Sequence, residues 1–289
     1  MFIKSTNDFE KIYQDMFQAI HQNGEWSTEK VRTKYVDGTP AKRKQIIGYQ
    51  FKFDNSTDVV PLVRSRFIPT KDALREMQWI WIMQTNRVQD LRDLGCKYWN
   101  QWEKEDGTIL RGYGYQIAKS VFGHKNQLDY ILHELKNNPD STRILTELWN
   151  TSDIDNMSLT PCIHLTQWSV NNGKVHLEVR ARSQDFALGL CSNVYQYSIL
   201  HKLVCQQIGS PAGDMLYSIH NLHYYDRHEE NLLKQFSVYN NEIKGSKLDV
   251  LSTANLTKLD SIYDFVADKH VELITTNKEL PKYKFEIAI

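Results

Sequence analysis

Apolar residues at Phe9, Ile12, Tyr13, Met16, Phe17 and Ile20 recur at helical spacing, and Gly24 follows as a stop. That pattern predicts an amphipathic helix over Asn7 to Gln22. Val31 to Gln45 is polar and carries the turn signals Asp37-Gly38 and Pro40, so it predicts a loop. Ile46 to Phe53 alternates as a strand does, and Asp72 to Leu94 predicts one or two helices. Further on, Val175, Leu177, Val179 and Ala181 alternate with His176, Glu178, Arg180 and Arg182, the signature of a half-buried strand. Asn193 to Ile208 returns to helical period, Met215 to Ile219 predicts a short strand, and residues 240–260 are weakly patterned. Strands and helices mix without a regular βαβ alternation, which argues for an α+β fold. No shift in composition marks a linker, so the expectation is one domain over residues 1–289.

Composition narrows the function classes. Hydrophobic residues make up 41% of the 289, enough for a sizeable core, and formal net charge is zero. A neutral chain is not built for a nucleic acid or an anionic membrane as its main partner. The cysteines Cys96, Cys162, Cys191 and Cys205 form no CxxC pair, and no Cys/His spacing suggests a zinc site, so no metal is expected. The N-terminus shows no signal-peptide core and no run of about 18 apolar residues occurs, so the expectation is a cytoplasmic protein with reduced thiols.

Candidate chemistry gathers in a few segments. Cys162 lies in PCIHLTQW; as a lone cysteine it reads as a small core residue unless a cation lowers its pKa, and Arg182 supplies one if the next strand lies alongside. Glu76 lies in REMQWIWIMQTN, where apolar neighbours would raise its pKa towards neutrality. Trp99 and Trp102 lie in KYWNQWEKEDG, and Tyr113 in GYG. Arginines at 32, 143 and 182 offer bidentate contacts to a phosphate, although a surface ion pair is the plainer reading for any one of them.

Taken in order, Pro161-Cys162, Arg182-Ser183-x-Asp185, Leu188-Gly189, Asn193 and His223-x-Tyr225 resemble the thymidylate synthase superfamily. The likeness runs from about Arg32 to the closing FEIAI (285–289). It implies a large mixed sheet flanked by helices, with the sheet packing at the interface of a homodimer. It also implies that Cys162 adds to C6 of a pyrimidine nucleotide, and that 5,10-methylenetetrahydrofolate gives one carbon to C5. Glu76, spaced three residues from Trp79, becomes the general acid/base, with Tyr113 and Arg182 beside the nucleophile. Arg32, Arg182, Ser183 and a partner-crossing Arg143 become the phosphate site. Asn193 reads a uracil base, since its amide can both donate and accept. His223 and Tyr225 contact the sugar, and Trp99, Asp185, Leu188 and Gly189 hold the folate. The expected partners are dUMP, folate and a second copy of the chain.

Departures from the family pattern bear on the product. Pro-Phe before the Asn is replaced by Cys191-Ser192, Gly-Asp before His-x-Tyr by His220-Asn221, and the first Arg of Pro-Asp-Ser-Arg-Arg by Thr142. Ser192, His220 and Asn221 add polar groups that could hold a water. On that ground the favoured expectation is hydration of the transferred carbon, giving 5-hydroxymethyl-dUMP. Trp99 and the tail, which would exclude water, favour the alternative, dTMP and dihydrofolate. A third reading is a weakly catalytic paralogue retained for binding or regulation.

Overall fold

The computed structural model describes residues 3–289. A short strand β1 (Ser5–Thr6) leads into α1 (Phe9–Asn23), whose Asp8 side chain caps the backbone N–H of Lys11. The predicted apolar stripe is the buried face: Phe9, Ile12, Tyr13, Met16, Phe17 and Ile20 are all in the core. β2 (Glu25–Trp26) and β3 (Arg43–Asp54) follow. The loop expected over 31–45 therefore ends sooner than its polarity suggests, because the polar heads of Lys44 and Gln45 bond to neighbouring elements: Lys44 Nζ donates to the His21 carbonyl (2.8 Å) and Gln45 Oε1 accepts from Asn221 Nδ2 (2.8 Å).

The expected helical stretch at 72–94 is two helices. α2 (Thr70–Met77) runs into a π-turn over Gln78–Ile82, and α3 (Val88–Asp93) follows. Short α4 (Gly114–Ile117) and α5 (Gln127–Asn137) come next, then β4 (Leu145–Glu147), β5 (Ile163–Asn171) and β6 (Lys174–Asp185). In β6 the apolar half of the alternation is buried and the polar half is not. α6 (Gly189–Ile208) is covered on nearly every side, and ends on Gly209 in the left-handed region (φ 73°).

β7 (Ala212–Tyr225) is far longer than the five residues expected. Its second half, Leu222 to Tyr224, is buried on both faces, so alternation is lost where the strand continues. α7 (Glu229–Val238), β8 (Thr253–Leu256) and β9 (Val271–Ile274) complete the chain, and the weakly patterned 240–260 holds β8.

The main sheet has seven strands in the order β1-β3-β7-β6-β5-β4, with β2 beside β3; β8 and β9 form a separate pair. It is mixed: β6 runs parallel to β7 and β1 to β3, while β3·β7, β5·β6 and β4·β5 are antiparallel. The architecture is α+β, as expected. β6 brings Asp185 opposite His223 of β7 and Ala181 opposite Ile163 of β5, so the C-terminal end of β6 meets the start of β5. The candidate residues collect at that corner. Among the described residues no helix is long and apolar enough to cross a membrane.

Candidate active site

Cys162 stands just before β5, and the backbone N–H of Arg182 donates to its carbonyl at 2.9 Å. The strand holding Arg182 does lie alongside. The Arg182 guanidinium is fixed by Nε to the Pro161 carbonyl (2.9 Å) and by Nη2 to the Thr160 carbonyl (2.9 Å) and hydroxyl (2.8 Å). Its Nη1 has no hydrogen-bond partner among the described residues, so one fork of the guanidinium stays open to a ligand. Burial pushes the Cys162 thiol above its usual range; Arg182 and, less strongly, Arg32 pull it back, while Asp185 opposes them.

Tyr113 connects this corner to Glu76. Its Oη accepts the backbone N–H of Cys162 at 3.1 Å, and its ring meets Trp99 edge-on at 4.8 Å. The local chain is forced: Tyr113 has φ 41°, and a Cβ on Gly114 would lie 2.2 Å from the Thr85 carbonyl oxygen. A non-glycine residue so placed costs about 1–3 kcal/mol, which the surrounding packing must offset. Trp99 Nε1 donates to Glu76 Oε1 at 2.5 Å, and Gln196 Nε2 donates to Oε2 at 2.5 Å. Glu76 is held above the usual carboxylate range, chiefly by burial, with the two hydrogen bonds opposing.

On the other side, Asp185 Oδ1 accepts the backbone N–H groups of Ala187 (2.8 Å) and Leu188 (3.2 Å), tying down the turn into α6. Gly189 opens that helix where a Cβ would crowd Gln184 at 3.2 Å. Asn193 Nδ2 lies 3.4 Å from Gln184 Oε1, which also accepts from Tyr217 at 2.9 Å. His223 is buried and held neutral, its pKa pushed down to about 4 by burial. Its Nδ1 donates to Asn221 Oδ1 (2.8 Å), while Asn221 Nδ2 donates to Gln45 (2.8 Å). Tyr225 packs on His223 at 5.3 Å. Ser183 sits opposite Asn221 with its hydroxyl unbonded among the described residues. The tail closes over this region: Ile289 pairs through both backbone groups with Lys34, and His228 Nε2 donates to the Glu286 carbonyl at 2.8 Å.

The structure thus brings together Cys162, Glu76, Tyr113, Trp99, Arg182, Asp185, Asn193 and His223. Arg143 stands apart, exposed on the turn before β4, and its guanidinium makes no hydrogen bond or ion pair with a described residue. Gln196, Gln184 and Gln45 went unnoticed in the sequence. The available signal for Gln196 was a polar residue three places after Asn193, on the same face of the helix.

The site joins a thiol beside guanidinium groups to a buried, indole-bonded carboxyl at the edge of a mixed sheet, as a nucleophilic group-transfer enzyme requires. A family profile described as "Thymidylate synthase" matches residues 11–289. The chain is 48% identical over 281 residues to a thymidylate synthase of Fusobacterium nucleatum, covering 97% of this chain and 98% of that one. It is 40% identical over 287 residues to thymidylate synthase 1 of Bacillus subtilis, covering 97% and 99%. The solved thermostable thymidylate synthase A from Bacillus subtilis superimposes with TM-score 0.88 at 40% identity, over 98% of this chain and 100% of that one. The chain belongs to the thymidylate synthase family, and is a one-carbon transferase of that superfamily.

The expectation of 5-hydroxymethyl-dUMP as product is overturned by these relatives, which are named thymidylate synthases at 40–48% identity over nearly the full length. The physical reason lies in the three residues that suggested it. Ser192 is buried, 7% exposed, in the first turn of α6. The Asn221 amide is spent on Gln45 and His223. His220 is exposed on the sheet face opposite buried Ile219. Asn221 therefore has no free group to hold a water, and His220 is turned away from the core.

Proposed function

We propose that this chain converts dUMP to dTMP, with 5,10-methylenetetrahydrofolate as cosubstrate, in a homodimer with shared sites in the cytoplasm. The observation that carries the proposal is the continuous path Cys162–Tyr113–Trp99–Glu76, which sets a thiol and a buried carboxyl around one space. Cys162 adds to C6 of the uracil ring, helped by Arg182 and Arg32, and leaves as the product forms. Glu76, kept protonated more readily than an ordinary carboxyl, moves protons at the O4 edge of the base. Arg182, through its open Nη1, and Arg32 and Ser183 hold the phosphate. Asn193 sets the base, with Gln184 orienting its amide. His223, fixed by Asn221 as the Nδ1–H tautomer, keeps Nε2 as an acceptor for the sugar hydroxyl beside Tyr225.

The residues present suit a folate. Asp185 keeps Oδ2 without a protein partner among the described residues, an acceptor fit for a pterin N–H, next to Leu188 and Gly189. The folate, when bound, supplies the one-carbon unit and the hydride. Trp99, held by Glu76, and the tail anchored at Lys34 exclude water while that happens. The free Arg143 guanidinium supports a partner-crossing role, and the open, polar sheet face carrying Gln50, Arg180 and His220 suits burial against a second copy.

The test is to incubate the protein with dUMP and methylenetetrahydrofolate, identify the nucleotide by mass, and follow dihydrofolate by absorbance. Stoichiometric dTMP and dihydrofolate are expected. Consumption of neither substrate under conditions where the protein is folded would sink the proposal.

A further inference from the structure

Away from the reaction site, a tight turn and a helix bring two imidazoles and a carboxylate together. Val121 and His124 bridge to each other through backbone hydrogen bonds of 3.3 and 2.9 Å, across Phe122 and Gly123 at φ 49° and 82°. Two successive positive φ values make a tight hairpin turn that fixes where the His124 ring emerges. It emerges over α5, where its ring centroid lies 4.7 Å from that of His133. Glu134 is the next residue on the helix. One ligand atom from each of His124, His133 and Glu134 lies within 4.8 Å of the other two, the set of this kind found among the described residues.

We propose that His124, His133 and Glu134 form a site for a borderline divalent cation of the zinc class, separate from the reaction site and stapling the turn to α5. The donor set decides the ion. Two imidazoles and one carboxylate suit zinc, cobalt, nickel or copper, whereas magnesium and calcium require mostly oxygen ligands. Tetrahedral bonds of about 2.0–2.2 Å put ligand atoms about 3.4 Å apart, so the longest gap must close by about 1.4 Å. Rotation of the half-exposed His133 ring supplies that without moving backbone. The surroundings are already arranged for it. Glu134 Oε1 accepts from Asn138 Nδ2 (3.1 Å) and from His133 Nδ1 (3.2 Å). Glu134 Oε2 has no partner among the described residues and is left for the cation, and rotation of the His133 ring releases its contact with Oε1. The fourth position is left to water. This revises the expectation of no metal, which rested on cysteine spacing; His124 and His133 are nine residues apart and meet only because the turn doubles back on the helix.

The site also sits where it can be felt. Tyr130, on α5, packs on Phe122 (5.3 Å) and His124 (5.6 Å) of the turn, and its hydroxyl donates to the Arg143 carbonyl at 2.8 Å.

The experiment titrates chelator-stripped full-length protein with Zn²⁺ by calorimetry and with Co²⁺ by visible absorption. One ion per chain is expected, with four- or five-coordinate Co²⁺ bands and no thiolate charge transfer. Saturating Zn²⁺ should also raise the melting temperature. His124→Ala with His133→Ala should weaken binding at least tenfold and abolish the melting shift, and Glu134→Gln should weaken it less. Metal-free melting temperatures check that these surface variants fold; Glu134→Gln, which keeps its bond to Asn138, serves as the variant if the double substitution does not. Binding that survives loss of the histidines, or disappears in Cys162→Ala, places the ion at the thiols and overturns the proposal. So does the absence of binding.

Discussion

On the side of the site formed by α2, Trp99 and α6, both oxygens of Glu76 are taken by protein donors, and the carboxyl is buried. On the side formed by β5, β6 and the turn into α6, Arg182 keeps Nη1 open and Asp185 keeps Oδ2 open. The exposed Arg143 keeps its whole guanidinium open. The first side has satisfied its polar groups internally, so its task is to hold one carboxyl at a raised pKa. The second has left hydrogen-bonding capacity unused, so its task is to take hold of something from outside. Saturated groups tune; unsaturated groups bind. Substitutions on the two sides should therefore fail differently.

The largest effect is expected at Cys162, where the two sides meet. Cys162→Ala should lower kcat by about 10⁴-fold or more, as removal of a nucleophile does. It should also abolish covalent trapping by 5-fluoro-dUMP while non-covalent dUMP binding persists. Trapping that survives would move the nucleophile to another thiol, and Cys191 is the other cysteine in the matched motifs.

Next comes Glu76→Gln, which tests the tuned side. Loss of a positioned proton donor and acceptor should cost about 10²–10⁴-fold in kcat with little change in dUMP binding. Gln196 can flip its amide to receive the new N–H₂, so the fold should hold. The stability signature has a definite sign. Burial raises the folded pKa of Glu76 above 4.5, so the stability favouring the protonated carboxyl is fully present below the unfolded value and is lost as pH rises through the folded one. Chemical denaturation across that range should show the parent losing stability relative to Glu76→Gln as pH rises from about 4.5. Equal pH dependence in the two proteins would mean the carboxyl is not strained by burial.

Much of this arrangement was legible in the sequence, and the parts that were not share a cause. α1, β6 and α6 showed their periods because each has one solvent-facing or one wholly apolar aspect. β7 hid its length because Leu222, His223 and Tyr224 are buried together, which erases alternation. The start of β3 hid behind Lys44 and Gln45, polar because each bonds to a neighbouring element, His21 and Asn221. Cys162, Glu76 and the arginines stood out as a motif. Their supports did not: Gln196, Gln184 and Gln45 act through single amide contacts between elements distant in sequence, which no spacing rule encodes. Asn221 was misread for the same reason. As a residue type it suggested a water, but its register opposite Ser183 and beside Gln45 assigns it to His223.

Arg143→Ala probes the binding side at its most exposed group. Loss of one charge-assisted phosphate contact should raise KM for dUMP by roughly 10–100-fold, from about 1.5–3 kcal/mol, with a smaller change in kcat. Mixing Arg143→Ala with Cys162→Ala under subunit exchange should restore activity at low dUMP. Random pairing leaves about a quarter of the sites with both groups intact in a two-fold dimer. Failure to recover would confine each site to one chain, and the open guanidinium would then need another explanation.

The smallest effect separates reading from holding. Asn193 lies between the two sides, tied by one long 3.4 Å contact to Gln184, which Tyr217 holds from behind at 2.9 Å. Its Oδ1 has no partner among the described residues, so the amide is only half committed and can turn to suit a base. As an amide it can accept from N3–H and donate to O4 of uracil. Asn193→Asp, once protonated or paired, presents the complement of the cytosine amino group and N3 instead. It should shift preference towards dCMP by at least about tenfold, or about 1.4 kcal/mol of differential binding. The shift should appear in the ratio of kcat/KM for dCMP and dUMP, with phosphate affinity unchanged, because the open arginines are untouched. If the ratio stays put, base identity is being set by the saturated side through Glu76, and the division of labour drawn between the two sides is wrong at that residue.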